Sequence, residues 1–291
     1  MIHANILTEI IDVLSSKDCE SVSTLNKRGG RSLPSAKSLN EIVDLCRSIL
    51  FPGYFGNSTI NPNTIKYHIG VNVEKLYKLL NEQIEAGLYV NENVNNFIEP
   101  KKEEVNKRAS QFITNLPIIK ELLNTDVKAA YNGDPAAENY GEVICCYPAI
   151  KAITNHRIAH ELFNLDVPVI PRIISEMAHS ETGIDIHPAA QIGSHFTIDH
   201  GTGVVIGATS IIENNVKLYQ GVTLGAKSFP LDENGNPVKG IPRHPILQDD
   251  VIVYSNASIL GRITIGKGAI IGGNIWVTEN VEPGARIIQK R

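Results

Sequence analysis

Cut every six residues, positions 186–227 read IHPAAQ IGSHFT IDHGTG VVIGAT SIIENN VKLYQG VTLGAK, and positions 251–286 read VIVYSN ASILGR ITIGKG AIIGGN IWVTEN VEPGAR. Of these thirteen hexads, twelve open with an aliphatic residue or alanine; only Ser210 is polar. The fifth place is often small, as at Ala190, Thr202, Ala208, Ala226, Ser255, Gly261, Gly273 and Ala285. A period of six is neither the 3.6 of a helix nor the 2 of an ordinary strand. Hexapeptide repetition signals a parallel β-helix. One short strand per hexad and three hexads per coil would stack the opening side chains inside a prism, with the small fifth residue at each corner. A chance alternation in a β-sandwich would not hold phase over this many repeats.

Outward from the repeats the texture changes. Of 23 glycines, 15 lie after residue 182. The register breaks at 228–244, a turn-rich stretch (Phe229-Pro230-Leu231-Asp232-Glu233-Asn234-Gly235-Asn236-Pro237) that must leave the prism as a loop, and long loops of this kind often carry function. Before the repeats the period is helical. Ser38-Leu39-Asn40-Glu41 has the form of a capping box and opens the stripe Ile42, Leu45, Cys46, Ile49, which stops before Pro52-Gly53. Ile65, Ile69, Val73, Leu76, Leu80 and Ile84 give a second helix, and 101–115, 117–131 and 148–163 read similarly. The Lys101–Arg108 charge run is a solvated helix face. Residues 17–37, with Gly29, Gly30 and Pro34, predict a loop. The expected fold is α+β: an α-helical domain over 1–180 that caps the coils, then a parallel β-helix domain over 181–291.

The chain has 291 residues, 42% apolar and 20% charged, with a formal net charge of −4. This composition is that of a soluble protein with a substantial core and argues against nucleic-acid binding. No stretch is long and apolar enough for a membrane span, and Met1-Ile2-His3-Ala4-Asn5 has no basic leader region. Cys19, Cys46, Cys145 and Cys146 lack CxxC spacing and predict buried free thiols in an intracellular, cytoplasmic protein.

Chemically capable residues concentrate at Asp185-Ile186-His187-Pro188, at Ile198-Asp199-His200-Gly201 and at Arg243-His244-Pro245. Histidine suits general base work near neutral pH, and a carboxylate on its second nitrogen fixes the tautomer. Asp185 and His200 are 15 residues apart, near the roughly 18 of one coil of three hexads. His200 is therefore either a base or a structural corner residue, while His187, His195 and His3 default to structural or surface roles. The His195-x4-His200 spacing matches two of the three zinc ligands of hexapeptide-repeat carbonic anhydrases. A catalytic zinc needs a third, which would come from a further coil where this chain is still helical, so no metal is expected.

From about Ala129 to Ala285 the chain resembles the serine O-acetyltransferases, members of the left-handed parallel β-helix acyltransferase superfamily. The resemblance rests on Asp134-Pro135-Ala136, His156-Arg157-Ile158-Ala159-His160, Asp185-Ile186-His187-Pro188-Ala189-Ala190, Ile198-Asp199-His200-Gly201-Thr202-Gly203, Gly221-Val222-Thr223-Leu224-Gly225 and Arg243-His244-Pro245. Leu33-Pro34-Ser35 and Leu50-Phe51-Pro52-Gly53-Tyr54-Phe55-Gly56 resemble the forms with a long helical N-terminus. The resemblance implies direct transfer of acetyl from acetyl-CoA to L-serine, the first step of cysteine synthesis, with acetyl-CoA as co-substrate and no permanently bound cofactor. His200 would be the general base, oriented by Asp185. Asp134 and Asp199 would hold the amino group, and Arg243 and His244 the carboxylate side. Gly225, Ala226, Ser255, Lys267 and Gly273 are the candidate contacts of acetyl-CoA, with an amide near Gly225-Ala226 as oxyanion donor. The family shares its site between subunits, which implies a homotrimer, or a pair of trimers, and cysteine as a possible competitive inhibitor. An acetyl-CoA-dependent enzyme with another hydroxyl or amine acceptor is the nearest alternative.

Departures from the pattern have consequences too. Ile206-Gly207-Ala208 carries alanine where the family often has glutamate, and the 228–244 loop is longer than in the short forms. Gln289-Lys290-Arg291 lacks the isoleucine-ended tail that docks in cysteine synthase, so no stable synthase complex is expected.

Overall fold

The computed structural model describes residues 2–15, 32–56, 59–90 and 100–289. Within them the helices are α1 (Ile2–Ser15), α2 (Ala36–Leu50), α3 (Ile65–Leu88), α4 (Lys102–Gly133), α5 (Tyr140–Cys146), α6 (Pro148–Asn164) and α7 (Ile170–Thr182). Short strands follow: β1 (Asp185–Ile186), β2 (Gln191–Ile192), β3 (Thr197–Asp199), β4 (Val205–Ile206), β5 (Ile211–Ile212), β6 (Lys217–Tyr219) and β7 (Thr223–Gly225). After the loop come β8 (Ile246–Leu247), β9 (Ile252–Val253), β10 (Ser258–Leu260), β11 (Thr264–Ile265), β12 (Ile270–Ile271), β13 (Trp276–Val277) and β14 (Arg286–Ile287).

Several helix details differ from the sequence expectation. The cap of α2 is Ser35, whose hydroxyl accepts from the Ser38 N–H at 3.3 Å; Glu41 instead pairs with Lys75 on α3. The segments 101–115 and 117–131, read as separate, belong to one helix, α4 (Lys102–Gly133), which runs through Pro117. A proline inside a helix costs about 3 kcal/mol, and the buried stripe Val105, Ala109, Phe112, Leu116, Ile119, Leu123, Val127 outweighs it. Pro117 itself lies on the exposed side. Helices α1, α5 and α7 have no counterpart in the sequence expectation. Cys46 is buried, but Cys145 and Cys146 are exposed at the end of α5, a correction to the expected buried thiols. Cys19 and most of the 17–37 segment lie outside the described residues.

The strands form three all-parallel sheets, ordered β1-β4-β7-β10-β13, β2-β5-β8-β11 and β3-β6-β9-β12-β14. They are the faces of a β-helix of about five coils, consistent with left-handed winding. We call these faces one, two and three, in the order the chain visits them. Two rows of each hexad point inward. Val204, Val216, Val222 and Val251 form one, and Ile206, Leu218, Leu224 and Val253 the other; all are buried. The fifth and sixth places make the corner. The sixth takes left-handed backbone at Asn215, Asn256 and Asn274, which asparagine tolerates better than most side chains.

The phase read from the sequence is two residues off in the first coil. Ile184, Ala190 and Phe196 stand in the row of Val204, and Ile186 and Ile198 in that of Ile206. Asp185 pairs with Val205 and Thr197 with Lys217, 20 residues on, whereas Val205 pairs with Thr223, 18 on. The extra pair, Thr202-Gly203, is exposed at the corner that His200 and Gly201 begin. Lys217 pairs with Ile252, 35 residues on, because the 228–244 loop leaves the prism and returns within that coil.

Helices and coils share one core. Their firmest polar link is a buried pair: Arg157 on α6 donates to both oxygens of Asp126 on α4, at 2.7 and 3.0 Å. Arg157 also donates to the carbonyls of Ile192 and Gly193, at 3.1 and 2.7 Å, and Asp126 accepts the Phe196 N–H at 3.0 Å. The ion pair thus fixes both helices onto the first coil beside β3.

Candidate active site

Where α4 ends against the first two coils, a cavity of about 330 Å³ opens, lined by Gly133, Asp134, Tyr147, Pro148, Asp199, His200 and Lys217 among others. Each polar side chain is placed by local structure. Pro135 ends α4, leaving Asp134 in extended backbone as its C-cap. There the Asp134 carboxylate accepts the Ala136 N–H at 2.8 Å and the Tyr147 hydroxyl at 2.6 Å. These bonds hold the Asp134 carboxyl below the usual range, the tyrosine bond first, and the same bond raises the Tyr147 hydroxyl to about 12.

Asp199 closes β3, and His200 begins the corner in left-handed backbone, φ 58°. Its side chain is 75% exposed. Gly201 follows with φ +101°, and a Cβ there would lie 2.5 Å from Ile184 Cδ1. Only glycine lets the corner close so tightly. Asp199 lies between two side chains: its Oδ2 is 3.0 Å from Lys217 Nζ, and its Oδ1 is 3.7 Å from His200 Nε2. Lys217 also donates to the Gly133 carbonyl at 2.8 Å. The structure therefore brings Asp134, Asp199 and His200 into one cavity, and adds Tyr147 and Lys217, which the sequence reading passed over. Tyr147 lies outside the repeats and Lys217 is an outward-facing place of an ordinary hexad; they enter only because α6 and β6 fold against the end of α4.

Asp185 lies on β1, and the segment leading into it runs beside the His200 corner, where Gly203 donates to the Gly183 carbonyl at 2.8 Å. No hydrogen bond or ion pair joins Asp185 to His200. The Asp185 carboxylate instead comes within 4.8 Å of ligand atoms on Glu176 and His179, the one potential metal-ligating cluster found among the described residues. His195 and His200 stand at opposite ends of β3.

Arg243 and His244 are at a different edge. The His200 corner leads into β4, and its far end, Gly207, packs under the His244 ring, where a Cβ would sit 2.0 Å from His244 Cδ2. Nδ1 of His244 accepts from the Thr209 N–H at 3.1 Å and contacts the Thr209 hydroxyl at 2.8 Å. Burial, reinforced by Arg243, lowers the His244 pKa to about 4. Arg262 donates to the Thr209 and His244 carbonyls, at 2.6 and 3.0 Å, and braces the loop's return. Arg243 sits over the Phe229 ring at 5.6 Å. Within one chain the two groups are thus a face apart, roughly 13 Å for four residues of strand.

The acetyl-CoA candidates divide the same way. Gly225 and Ala226 fall at the edge between faces one and two, beside a second cavity of about 310 Å³ lined by Lys227, Arg243, Gly261 and Arg262. Ser255 and Gly273 stack at the edge between faces three and one, with a Cβ on Gly273 3.1 Å from the Ser255 carbonyl. Lys267 stands apart from all four. It lies at the third edge, between β11 and β12, held to Asp249 and Asp250 at 3.4 and 3.7 Å. The sequence could not separate these edges because the fifth place of successive hexads visits each of them in turn.

A hexapeptide β-helix capped by helices, with an exposed histidine over a carboxylate-lined cavity, defines a hexapeptide-repeat transferase. A serine acetyltransferase of Synechococcus elongatus is 50% identical over 261 residues, covering 88% of this chain and 82% of that protein. The chain belongs to the serine acetyltransferase family. The serine acetyltransferase of Bacillus licheniformis is 44% identical over 168 residues, 58% of this chain and 74% of its own. Among solved structures, Entamoeba histolytica serine acetyltransferase 1 in complex with L-cysteine superimposes with a TM-score of 0.75 at 33% identity, covering 92% of this chain and 93% of that one. Neisseria gonorrhoeae serine acetyltransferase in complex with serine gives 0.56 at 26% identity over 86% of this chain and 95% of its own. No protein-family model matches the chain. No helix among the described residues is long and apolar enough to cross a membrane.

Proposed function

We propose that this chain transfers acetyl from acetyl-CoA to the hydroxyl of L-serine, giving O-acetyl-L-serine and CoA, as the first step of cysteine synthesis. The observation that carries the reading is the exposed His200 imidazole at the mouth of a cavity with Asp134 and Asp199 on its walls. Two carboxylates suit an ammonium group, which favours an amino acid over a sugar as acceptor. His200 takes the hydroxyl proton as the serine oxygen attacks the thioester carbon, and returns it to the CoA sulfur as the C–S bond breaks. Such acid–base help contributes about 10²–10⁴-fold. A backbone N–H at Gly225-Ala226 would meet the oxyanion. Asp185 takes the role of orienting carboxylate once the exposed imidazole turns toward β1.

Arg243 binds the substrate carboxylate through its planar fork, with His244 beside it. Because these two residues lie a face away from His200, the reading requires a neighbouring copy to supply them, hence a homotrimer whose helical domain over 1–180 caps and assembles the coils. Acetyl-CoA would lie between subunits, along Gly225 and Ala226 of one and Ser255 and Gly273 of the other. L-Cysteine, a serine analogue, would compete in the same cavity. A cytoplasmic location fits this chemistry.

The test is thiol release from acetyl-CoA with L-serine against a panel of amino acids, amines and sugars, for wild type and His200→Ala. Serine-dependent release that falls at least about 10²-fold in the variant is the expected result. Preference for another acceptor would overturn the substrate assignment, and full activity of His200→Ala would overturn the mechanism.

A further inference from the structure

Lys217 is the residue of the cavity with the most built-in contacts and no role in the reaction as written above. It projects from β6, directly across from β3, and its side chain is only 17% exposed. Three groups hold its ammonium. Asp199 Oδ2 lies at 3.0 Å, the Gly133 carbonyl accepts at 2.8 Å, and the Tyr219 ring centroid is 4.7 Å away. Tyr219 is itself stacked on Tyr254, with centroids 4.9 Å apart and planes 14° from parallel, so the platform beneath the ammonium is rigid. Burial alone would lower the lysine pKa, but its bonds to Asp199 and Tyr219 outweigh this and raise it, so the cation persists at any working pH.

We propose that Lys217 is a positioning residue that fixes the charge and spacing of the amino-group site: it takes up Asp199, ties the end of α4 to the second coil, and offsets the Asp199 charge beside His200. The proposal rests on the serine-acetylation reading for its kinetic consequences. Three observations support it. The Gly133 carbonyl precedes Asp134, so the Lys217 bond sets where the Asp134 carboxylate stands relative to Asp199. The cavity's fixed charges are Asp134, Asp199 and Lys217, one net negative charge, which matches a single substrate ammonium. Finally, Asp199 bridges Lys217 and His200, so the lysine opposes the pull of that carboxylate on the imidazolium. The charged and titratable groups that line the cavity with His200 are Asp199 at the end of β3, Asp134 at the end of α4, Cys146 at the end of α5, Tyr147 at the start of α6 and Lys217 on β6; removing Lys217, the lysine among them, favours protonated imidazole.

The experiment compares wild type, Lys217→Met, Lys217→Gln and Lys217→Arg. Two readouts are taken: the pH profile of kcat/KM for serine, and the titration of His200 followed by histidine-labelled NMR in the unliganded protein. Loss of one charge at a partly screened site shifts a neighbour by about half a pH unit or more. The acid limb and the His200 titration should both move up by that amount in the Met and Gln variants. Serine KM should rise several-fold with acetyl-CoA KM unchanged, and arginine should restore both. An unmoved His200 titration in Met and Gln variants that melt as wild type does would overturn the proposal. So would arginine failing to restore what methionine lost. The NMR titration needs no substrate, so it still decides the Lys217 question if serine proves not to be the acceptor.

Discussion

Replacing Arg157 by methionine tests how the helical half is held to the coils. The side chains of Arg157 and Asp126 are 5% and 0% exposed. The substitution leaves the Asp126 carboxylate buried with the Phe196 N–H as its remaining donor, and strips a donor from the Ile192 and Gly193 carbonyls. Breaking a buried pair on one side costs about 3–5 kcal/mol, and an orphaned buried acceptor adds about 1 kcal/mol or more. We therefore expect Arg157→Met to lose about 4–6 kcal/mol. Asp126→Leu combined with Arg157→Met removes both charges and should lose far less, with a coupling energy of at least about 2 kcal/mol. Urea denaturation at one fixed protein concentration reads both, since any assembly makes the midpoint concentration-dependent. A loss below about 1 kcal/mol for the single variant, or additivity in the double, would refute the reasoning that a buried, geometrically complete ion pair fastens α4 and α6 to β3.

Three further outcomes follow from the same geometry. Tyr147→Phe removes the hydroxyl donor to Asp134, so that carboxyl returns toward its ordinary range; serine KM should rise about three- to tenfold, while acetyl-CoA KM holds in steady-state assays. His244 is held neutral in the fold with its pKa near 4, so below the ordinary histidine pKa of about 6.5 the unfolded chain binds the proton first. Its contribution is present above that value and is lost as pH falls toward 4. Denaturation midpoints should accordingly climb with pH through this window in wild type and climb less steeply in His244→Asn. Gly207→Ala would place a methyl 2.0 Å from His244 Cδ2. The ring must move off Thr209, and a loss of about 1–3 kcal/mol, typical of overpacking, should appear in the same denaturation assay.

The six-residue period alone determined that residues 186 onward wind as a parallel β-helix, because only a coil of short strands buries an apolar residue at that spacing. The helical stripes of α2, α3 and α6, and the 228–244 excursion, were equally local and equally legible. Asp185, Asp199, His200, Arg243 and His244 could be named from the chain for the same reason, because each motif is contiguous; Asp134 was reached only through the family resemblance. Tertiary structure alone decided which of them meet. The phase slip at Thr202-Gly203 is invisible to a strict six-residue frame, since inner rows at the first and third places are both aliphatic and a shift of two looks like no shift at all. The inserted pair also lies at the corner on which His200 stands. Whether a helix survives Pro117 depends on the depth of the stripe behind it, not on the proline. Tyr147 and Lys217 share the cavity with Asp134 only because α4, α6 and β6 pack together, at separations in sequence that no local pattern encodes. The edges of the prism set Arg243 and His244 a face from His200 and leave Lys267 on its own, because a residue's place around a coil depends on its exact count from the last corner, which only the folded register supplies.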